Sequence, residues 1–224
     1  MSENKLKQLR ICIERGKGTQ AAPYPPDMKD QPGARELTEQ LLAEGVAAEK
    51  ILNEALIPGM REVGRKFQNN EAFVPDMLIS ADAMKKAMAL LKTELANSNV
   101  EPKGTFIVGT VQGDMHDIGK NLVAMMVEGA GWEVIDLGVD VSADKFLNAV
   151  EQHPKAAVGM SALLTTTMGA MKTTVEKIRA KFPNTTIIIG GAPVTDSFAK
   201  EIKASGYAPD PQGAIELLEG IAVA

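Results

Sequence analysis

The sequence is poor in cysteine, with Cys12 alone, and it has one tryptophan, two tyrosines and two histidines. A lone cysteine cannot close an internal disulfide, which excludes a disulfide-stapled secreted scaffold and agrees with a reducing compartment. Cys12 itself reads as a small apolar helix residue. No run of lysine or arginine is long enough to follow a phosphate backbone, and the net charge is −5; nucleic acid is therefore not expected as a partner. Long apolar runs are missing as well. Residues 1–15 alternate charged and apolar side chains instead of forming a secretory core, and no later segment reaches membrane-spanning length. The expectation is a cytoplasmic protein with no membrane contact.

What remains is 45% hydrophobic and 24% charged residues over 224 positions, enough to bury a core in one large domain or two modest ones. A short amphipathic start is followed by Gly16–Gly33, where Tyr24-Pro25-Pro26 and flanking glycines predict a loop or extended arm. Apolar residues then recur at helical spacing from about Ala34 to residue 96: Leu37, Leu41, Leu42, then Ile51, Leu52, Leu56, then Met77, Leu78, and Ala83, Met84, Met88, Leu91. This predicts a bundle of short helices, broken at Pro58-Gly59 and at Gln68-Asn69-Asn70. The polar stretch 97–104, with Pro102, reads as a linker.

The rhythm then changes. Strands are predicted at Thr105–Val111, Trp132–Leu137, Ala156–Ser161 and Thr185–Ile189, with a weak one near Tyr207, alternating with helices near 119–129, 142–151, 167–182, 195–204 and 212–223. Near-continuous apolar strands in a βα repeat predict a parallel sheet covered on both faces, a five-stranded flavodoxin-like unit spanning 105–224.

The chemistry concentrates in Gln112-Gly113-Asp114-Met115-His116-Asp117-Ile118-Gly119, where the first strand hands over to the first helix. Ligands of open α/β sheets bind at that carboxyl edge. An imidazole suits metal ligation because one ring nitrogen donates to the metal while the other is held by a hydrogen bond, for which Asp114 is the nearest acceptor. A lone loop histidine is also commonly a bystander.

Asp114-x-His116-x-x-Gly119, followed by Ser161-x-Leu163 and then Gly190-Gly191, resembles the cobalamin-binding signature of the methionine synthase cobalamin module and of the corrinoid proteins of anaerobic methyltransferase and O-demethylase systems. Asn53–Met60, Val63-Gly64 and Phe73-Val74-Pro75-Asp76-Met77-Leu78 are similar to the helical cap that precedes the corrinoid domain there, so the resemblance covers roughly residues 34–224. It implies a helical cap followed by a Rossmann-like domain that binds cobalamin with its lower base detached and buried. His116 would be the lower axial ligand to cobalt, Asp114 its hydrogen-bond acceptor, and Ser161 a further partner of Asp114. Gln112, Gly113, Asp117, Ile118, Gly119, Leu163, Thr165, Gly190 and Gly191 would complete the cofactor site, with Gly119 and the glycine pair along the nucleotide tail and Leu163 and Thr165 beside the base. Phe73, Val74, Met77 and Leu78 would shield the upper corrin face, although ordinary bundle core explains them equally.

The function implied is a methyl carrier cycling between cob(I)alamin and methyl-cob(III)alamin. It would serve a donor-specific methyltransferase subunit, an acceptor methyltransferase using tetrahydrofolate or a thiol, and a reductive activase. Methoxylated aromatics, methylamines, methanol and betaines all remain possible donors, with a lean toward O-demethylation on general resemblance. The linker 97–104 would be the hinge of a movable cap. Two other classes stay open. A corrinoid storage or delivery protein would use the same motif. A cobalamin-dependent regulator would need a DNA-binding or effector domain for which residues 1–33 are too short. A P-loop is disfavoured, because the position five after Gly113 is Ile118 and not glycine.

Overall fold

Leu6, Leu9, Cys12 and Ile13 recur at three- and four-residue intervals and are all buried along α1 (Ser2–Glu14). The computed structural model describes residues 2–97 and 102–222, in two compact units, Met1–Glu101 and Pro102–Ala224. In the first, α1 packs against α2 (Ala34–Ala43), α4 (Ile57–Gln68) and α5 (Val74–Asn97), with α3 (Ala48–Ile51) leading into α4. Leu41, Ile51, Leu56, Met60, Met77 and Leu91 are fully buried.

The break expected at Pro58-Gly59 does not occur. A π-type turn, Leu52–Leu56, joins α3 to α4, and the Ile57 N–H reaches back to the Leu52 carbonyl. Pro58 has no N–H, and its ring would clash with the carbonyl four residues earlier; the wider turn relieves both conflicts. At Gln68-Asn69-Asn70 the helix does end, with Asn70 in the left-handed region at φ 58°.

Residues 16–33 form a closed loop and not an extended arm. Its ends are stitched by Ala34 N–H to the Lys17 carbonyl (2.8 Å) and Arg35 N–H to the Gly18 carbonyl (3.1 Å). The fully buried Lys17 donates its Nζ to the Ala22 carbonyl at 2.6 Å, and Arg15 grips Asp27 with two hydrogen bonds of 2.5 and 2.8 Å. Cys12 is buried beside this loop, and burial pushes its thiol up to about 11. Its contribution to stability is full below the ordinary value of 9.0 and is lost as pH rises toward 11. We expect Cys12 to resist a disulfide-exchange thiol reagent at pH 8 in native protein and to react at once in denaturant; rapid native labelling would contradict its packing.

Of the stretch read as a linker and hinge, residues 98–101 lie outside the described residues. Lys103 already belongs to the second unit, its N–H bonding the Gly131 carbonyl at 3.0 Å.

The second unit is a parallel sheet of five strands in the order β2-β1-β3-β4-β5: β1 (Thr105–Thr110), β2 (Glu133–Asp136), β3 (Ala157–Ser161), β4 (Ile187–Gly190) and β5 (Gly206–Ala208). The apolar strands are covered on both faces, as their composition requires. Ile107, Val158 and Ile187 point to one side and form a core with Phe146, Val175 and Ala199 from α7 (Ala143–Gln152), α8 (Met168–Lys181) and α9 (Asp196–Glu201). Their neighbours Phe106, Val108 and Ile188 face α6 (Ile118–Gly129) and α10 (Pro211–Ala222). Ser142 and Thr195 cap α7 and α9 through their side-chain oxygens. Predicted and observed elements agree in number and order. Because β1 lies between β2 and β3, the chain winds away from it in both directions, and the loops after β1 and β3 diverge to leave a crevice.

Candidate functional site

The loop after β1 is built around one carboxylate. Gly113, at φ 83°, turns the chain so that Asp114 points back into the protein. The Asp114 N–H closes the turn on the Val111 carbonyl (3.1 Å), and Asp140 clasps it from outside through Gly113 N–H (2.7 Å). The Asp114 side chain is 0% exposed and that of His116 is 52% exposed.

All the hydrogen-bonding capacity of that buried carboxylate is used. Oδ1 accepts from the His116 backbone N–H (3.1 Å) and from its Nδ1 (2.7 Å). Oδ2 accepts from the N–H groups of Leu163 (2.7 Å) and Leu164 (3.2 Å) and from the Thr167 hydroxyl (2.9 Å). Burial alone would push this carboxyl up; the hydrogen bonds from Leu163, His116 and Thr167 outweigh it and hold Asp114 well below the usual carboxylate range. An ionised Asp114 accepts only, so Nδ1 donates to it and Nε2 is the ring nitrogen left for another partner.

The expected bond from Ser161 to Asp114 is therefore corrected. Ser161 is the last residue of β3, and the hydroxyl that reaches Asp114 is that of Thr167, at the end of the 3₁₀ turn Thr165–Thr167. That turn folds the chain back so that Thr167 is buried while Thr165 and Thr166 face solvent. The threonine run was the available signal.

Around His116 lies an apolar platform. Met115 (68%) and Ile118 (69%) are exposed on its own loop, and Leu163 and Leu164 on the neighbouring one. Water-facing side chains of this kind, grouped about an imidazole, mark a surface that is covered in use.

A cavity of about 440 Å³ runs between the sheet and helices α6 and α10 and reaches the same strand edge. Gly119, Ser161, Gly190 and Gly191 line it, whereas Gln112, Gly113, Asp117, Ile118, Leu163 and Thr165 do not; those six are exposed on the loops after β1 and β3. A side chain at Gly119 would meet no protein atom within 4 Å. What its absence preserves is therefore the opening of the cavity and not internal packing.

Lys120 was not picked out from the sequence. Its side chain is 2% exposed, and its Nζ is held by both Asp136 oxygens (2.6 and 2.7 Å) and by Asn121 Oδ1 (2.6 Å). This ties the first turn of α6 to the end of β2 beside the cavity.

In the first unit, Phe73 (63%), Val74 (37%) and Leu78 (39%) are exposed at the start of α5, where Asp76 bonds back to the Phe73 N–H (2.8 Å). Met77 is fully buried, so it belongs to bundle core and offers no surface for shielding a ligand. His153 ends α7.

These features fit a corrinoid on the geometry alone. A nitrogen lone pair is oriented by a buried carboxylate, an apolar platform suits a broad macrocycle, and a deep cavity opens beside it for an appended group. Among the described residues no cluster of three or more acidic, histidine or cysteine side chains forms a self-contained metal site, and no helix is long and apolar enough to cross a membrane.

Comparison with known proteins gives the same answer. Residues 104–215 match the family model "B12 binding domain", and residues 29–92 match a second model of that description. A corrinoid protein of Desulfitobacterium hafniense strain Y51 is 36% identical, covering 86% of this chain and 91% of the relative. Trimethylamine corrinoid protein 1 of Methanosarcina acetivorans is 35% identical over 80% of this chain and 84% of its own length. Among solved structures, the methanol:cobalamin methyltransferase complex of Methanosarcina barkeri aligns with a TM-score of 0.81 at 27% identity, covering 98% of this chain and 80% of that one. The chain belongs to the corrinoid proteins, the B12-binding family of methyltransferase systems.

Proposed function

We propose that this chain is the methyl-carrying subunit of a corrinoid-dependent methyltransferase system and holds its cofactor with the lower base displaced by His116. The observation that carries this reading is the Asp114 clamp. It holds Nδ1 at 2.7 Å from an acceptor-only carboxylate oxygen, which keeps the proton of that bond on the ring and leaves Nε2 free to ligate. The bound corrinoid supplies a cobalt centre able to accept and release a methyl group.

The protein's own residues do the rest. Asp114, satisfied by three backbone N–H groups and the Thr167 hydroxyl, is a fixed negative charge beside the imidazole that would hold the ring in place and strengthen Nε2 as a donor to the cofactor's metal. Met115, Ile118, Leu163 and Leu164 would offer the macrocycle an apolar surface and exclude water from it. Gly119, Ser161, Gly190 and Gly191 admit the nucleotide tail, with the Ser161 hydroxyl offered to it. In the first unit, Phe73, Val74 and Leu78 present an exposed apolar patch at the start of α5.

Partner subunits are a donor-specific methyltransferase, an acceptor methyltransferase using tetrahydrofolate or a thiol, and a reductive activase. The structure of a corrinoid subunit in a methanol:cobalamin methyltransferase complex supports the first of these. Relatives named for trimethylamine and dimethylamine make methylated amines the donor class to assay first, with methanol and methoxylated aromatics next.

The test is reconstitution with hydroxocobalamin, removal of free cofactor, and comparison of absorption spectra of wild type and His116→Ala. Wild type should retain the corrinoid with a histidine-ligated, base-off spectrum, and His116→Ala should lose that signature. Failure of wild type to retain cofactor, or identical spectra, would sink the ligation scheme.

A further inference from the structure

The cavity beside His116 has an uneven chemistry along its depth. Its inner end is formed by Phe106, Val108, Gly159 and Ile188 from the sheet with Val123 and Ala214 from the helices, and none of these carries a side-chain polar atom. Val108, Gly159 and Ile188 stand side by side in register, well inside the strand edge. A side chain at Gly159 would fall 2.3 Å from the Phe106 ring, so that ring lies directly on the strand and makes a smooth aromatic floor.

Polar side chains reach the lining in few places. Lys120 is committed to Asp136 and Asn121, and Asp210, whose Oδ1 accepts from the Gly213 N–H at 2.8 Å, follows the carboxyl end of β5 and not the inner end. The other side-chain groups available are the hydroxyls of Ser161 and Tyr207, on the last residue of β3 and in β5.

We infer that this cavity selects corrinoids by the class of their lower base, admitting benzimidazole and phenolic tails and discriminating against purine tails. The inference rests on the proposed base-off binding and names the cofactor class that the same site takes. A dimethylbenzimidazole buries an apolar benzo ring and brings a single free ring nitrogen, which one hydroxyl satisfies. A phenolic tail brings no ring nitrogen. An adenine brings several free ring nitrogens and an exocyclic amine, which the side chains of the inner end cannot meet. A polar group buried without a partner lowers affinity by about tenfold.

The experiment is equilibrium binding of four corrinoids to the full-length apoprotein, followed by absorbance: cobalamin, a cresol-tailed cobamide, an adenine-tailed cobamide and tail-less cobinamide. Cobalamin and the cresol form should bind within about threefold of each other, the adenine form at least about tenfold more weakly, and cobinamide weaker still. Val123→Asn, which places an amide at the inner end, should narrow the gap between the adenine form and cobalamin. Equal binding of the adenine form, weak binding of the cresol form, or cobinamide binding as well as cobalamin would each overturn the selectivity. The two readings fail differently. If cobalamin binds base-on or is not retained, the proposed function fails; if cobalamin is bound base-off and the adenine form matches it, only the selectivity does.

Discussion

Asp114→Ala is expected to destabilise the 102–224 unit by about 3 kcal/mol, with loss of corrinoid ligation in the same variant. The carboxylate is the common acceptor for the His116 ring, for the N–H groups of Leu163 and Leu164 and for the Thr167 hydroxyl. Removing it strands the backbone N–H groups of His116, Leu163 and Leu164, whereas the half-exposed His116 ring can turn to water and the Thr167 hydroxyl to the Leu164 carbonyl at 2.8 Å; an unpaired backbone donor costs far more than the net value of a bond. The sole tryptophan, Trp132, lies within this unit, so its fluorescence during chemical denaturation reads the effect directly. The carboxylate's contribution is present above its ordinary pKa of 3.8 and is lost as pH falls below it; the variant should lack that part of the acid sensitivity. A denaturation midpoint unchanged from wild type would mean that the clamp is dispensable for the fold. Thr167→Val should reproduce only a fraction of the loss, about 1 kcal/mol, because the three backbone donors, from His116, Leu163 and Leu164, remain.

Gly191→Ala carries the second large effect. Gly191 sits at φ +121°, a conformation that L-residues rarely adopt, and a Cβ there would stand 1.9 Å from the Ala162 carbonyl oxygen. Neither neighbour can move cheaply, since the Ala162 N–H is bonded to the Gly190 carbonyl at 3.2 Å and Ala162 is itself fully buried. We expect a loss of at least about 3 kcal/mol and a soluble yield well below that of wild type. Gly119→Ala gives the contrast. It meets no protein atom, so apoprotein stability should change by less than about 0.5 kcal/mol while affinity for corrinoid falls. Normal melting of Gly191→Ala, or an unstable Gly119→Ala apoprotein, would refute this division of labour between the glycines.

Much of the second unit was legible because one physical signal dominates it. Ile107, Val158 and Ile187 and their flanking residues are apolar on both sides of each strand, which only a doubly covered parallel sheet accommodates, and the helices between them follow from ordinary periodicity. The position of Asp114 and His116 at the strand edge was legible for the same reason. The hydroxyl partner of Asp114 was not. Ser161 and Thr167 are equally plausible donors in one dimension, and the choice depends on a 3₁₀ turn whose existence is decided by tertiary packing. Lys120 was hidden too, because a lysine in the first turn of an amphipathic helix looks solvated until β2 brings Asp136 against it.

In the first unit the sequence misled at Pro58, where local chemistry argues for a break and the helix instead widens by one residue per turn to continue. It was ambiguous at 16–33, where Gly and Pro content describes the absence of regular structure equally well for an arm and for a loop. The buried amine of Lys17, surrounded by backbone carbonyls, settles that ambiguity, and nothing in its neighbours along the chain announces it.

The two outer strands of the sheet have a further effect on how this protein behaves at high concentration. β2 spans only Glu133–Asp136 and begins and ends on acidic side chains; β5 spans only Gly206–Ala208. A free strand edge is a template for pairing with another chain, and its reach depends on length and on lack of charge. Both margins here are too short, and one too acidic, to recruit a visiting strand. Edge-to-edge growth into fibrils is thereby disfavoured, although the interior strands are among the most β-prone segments of the sequence.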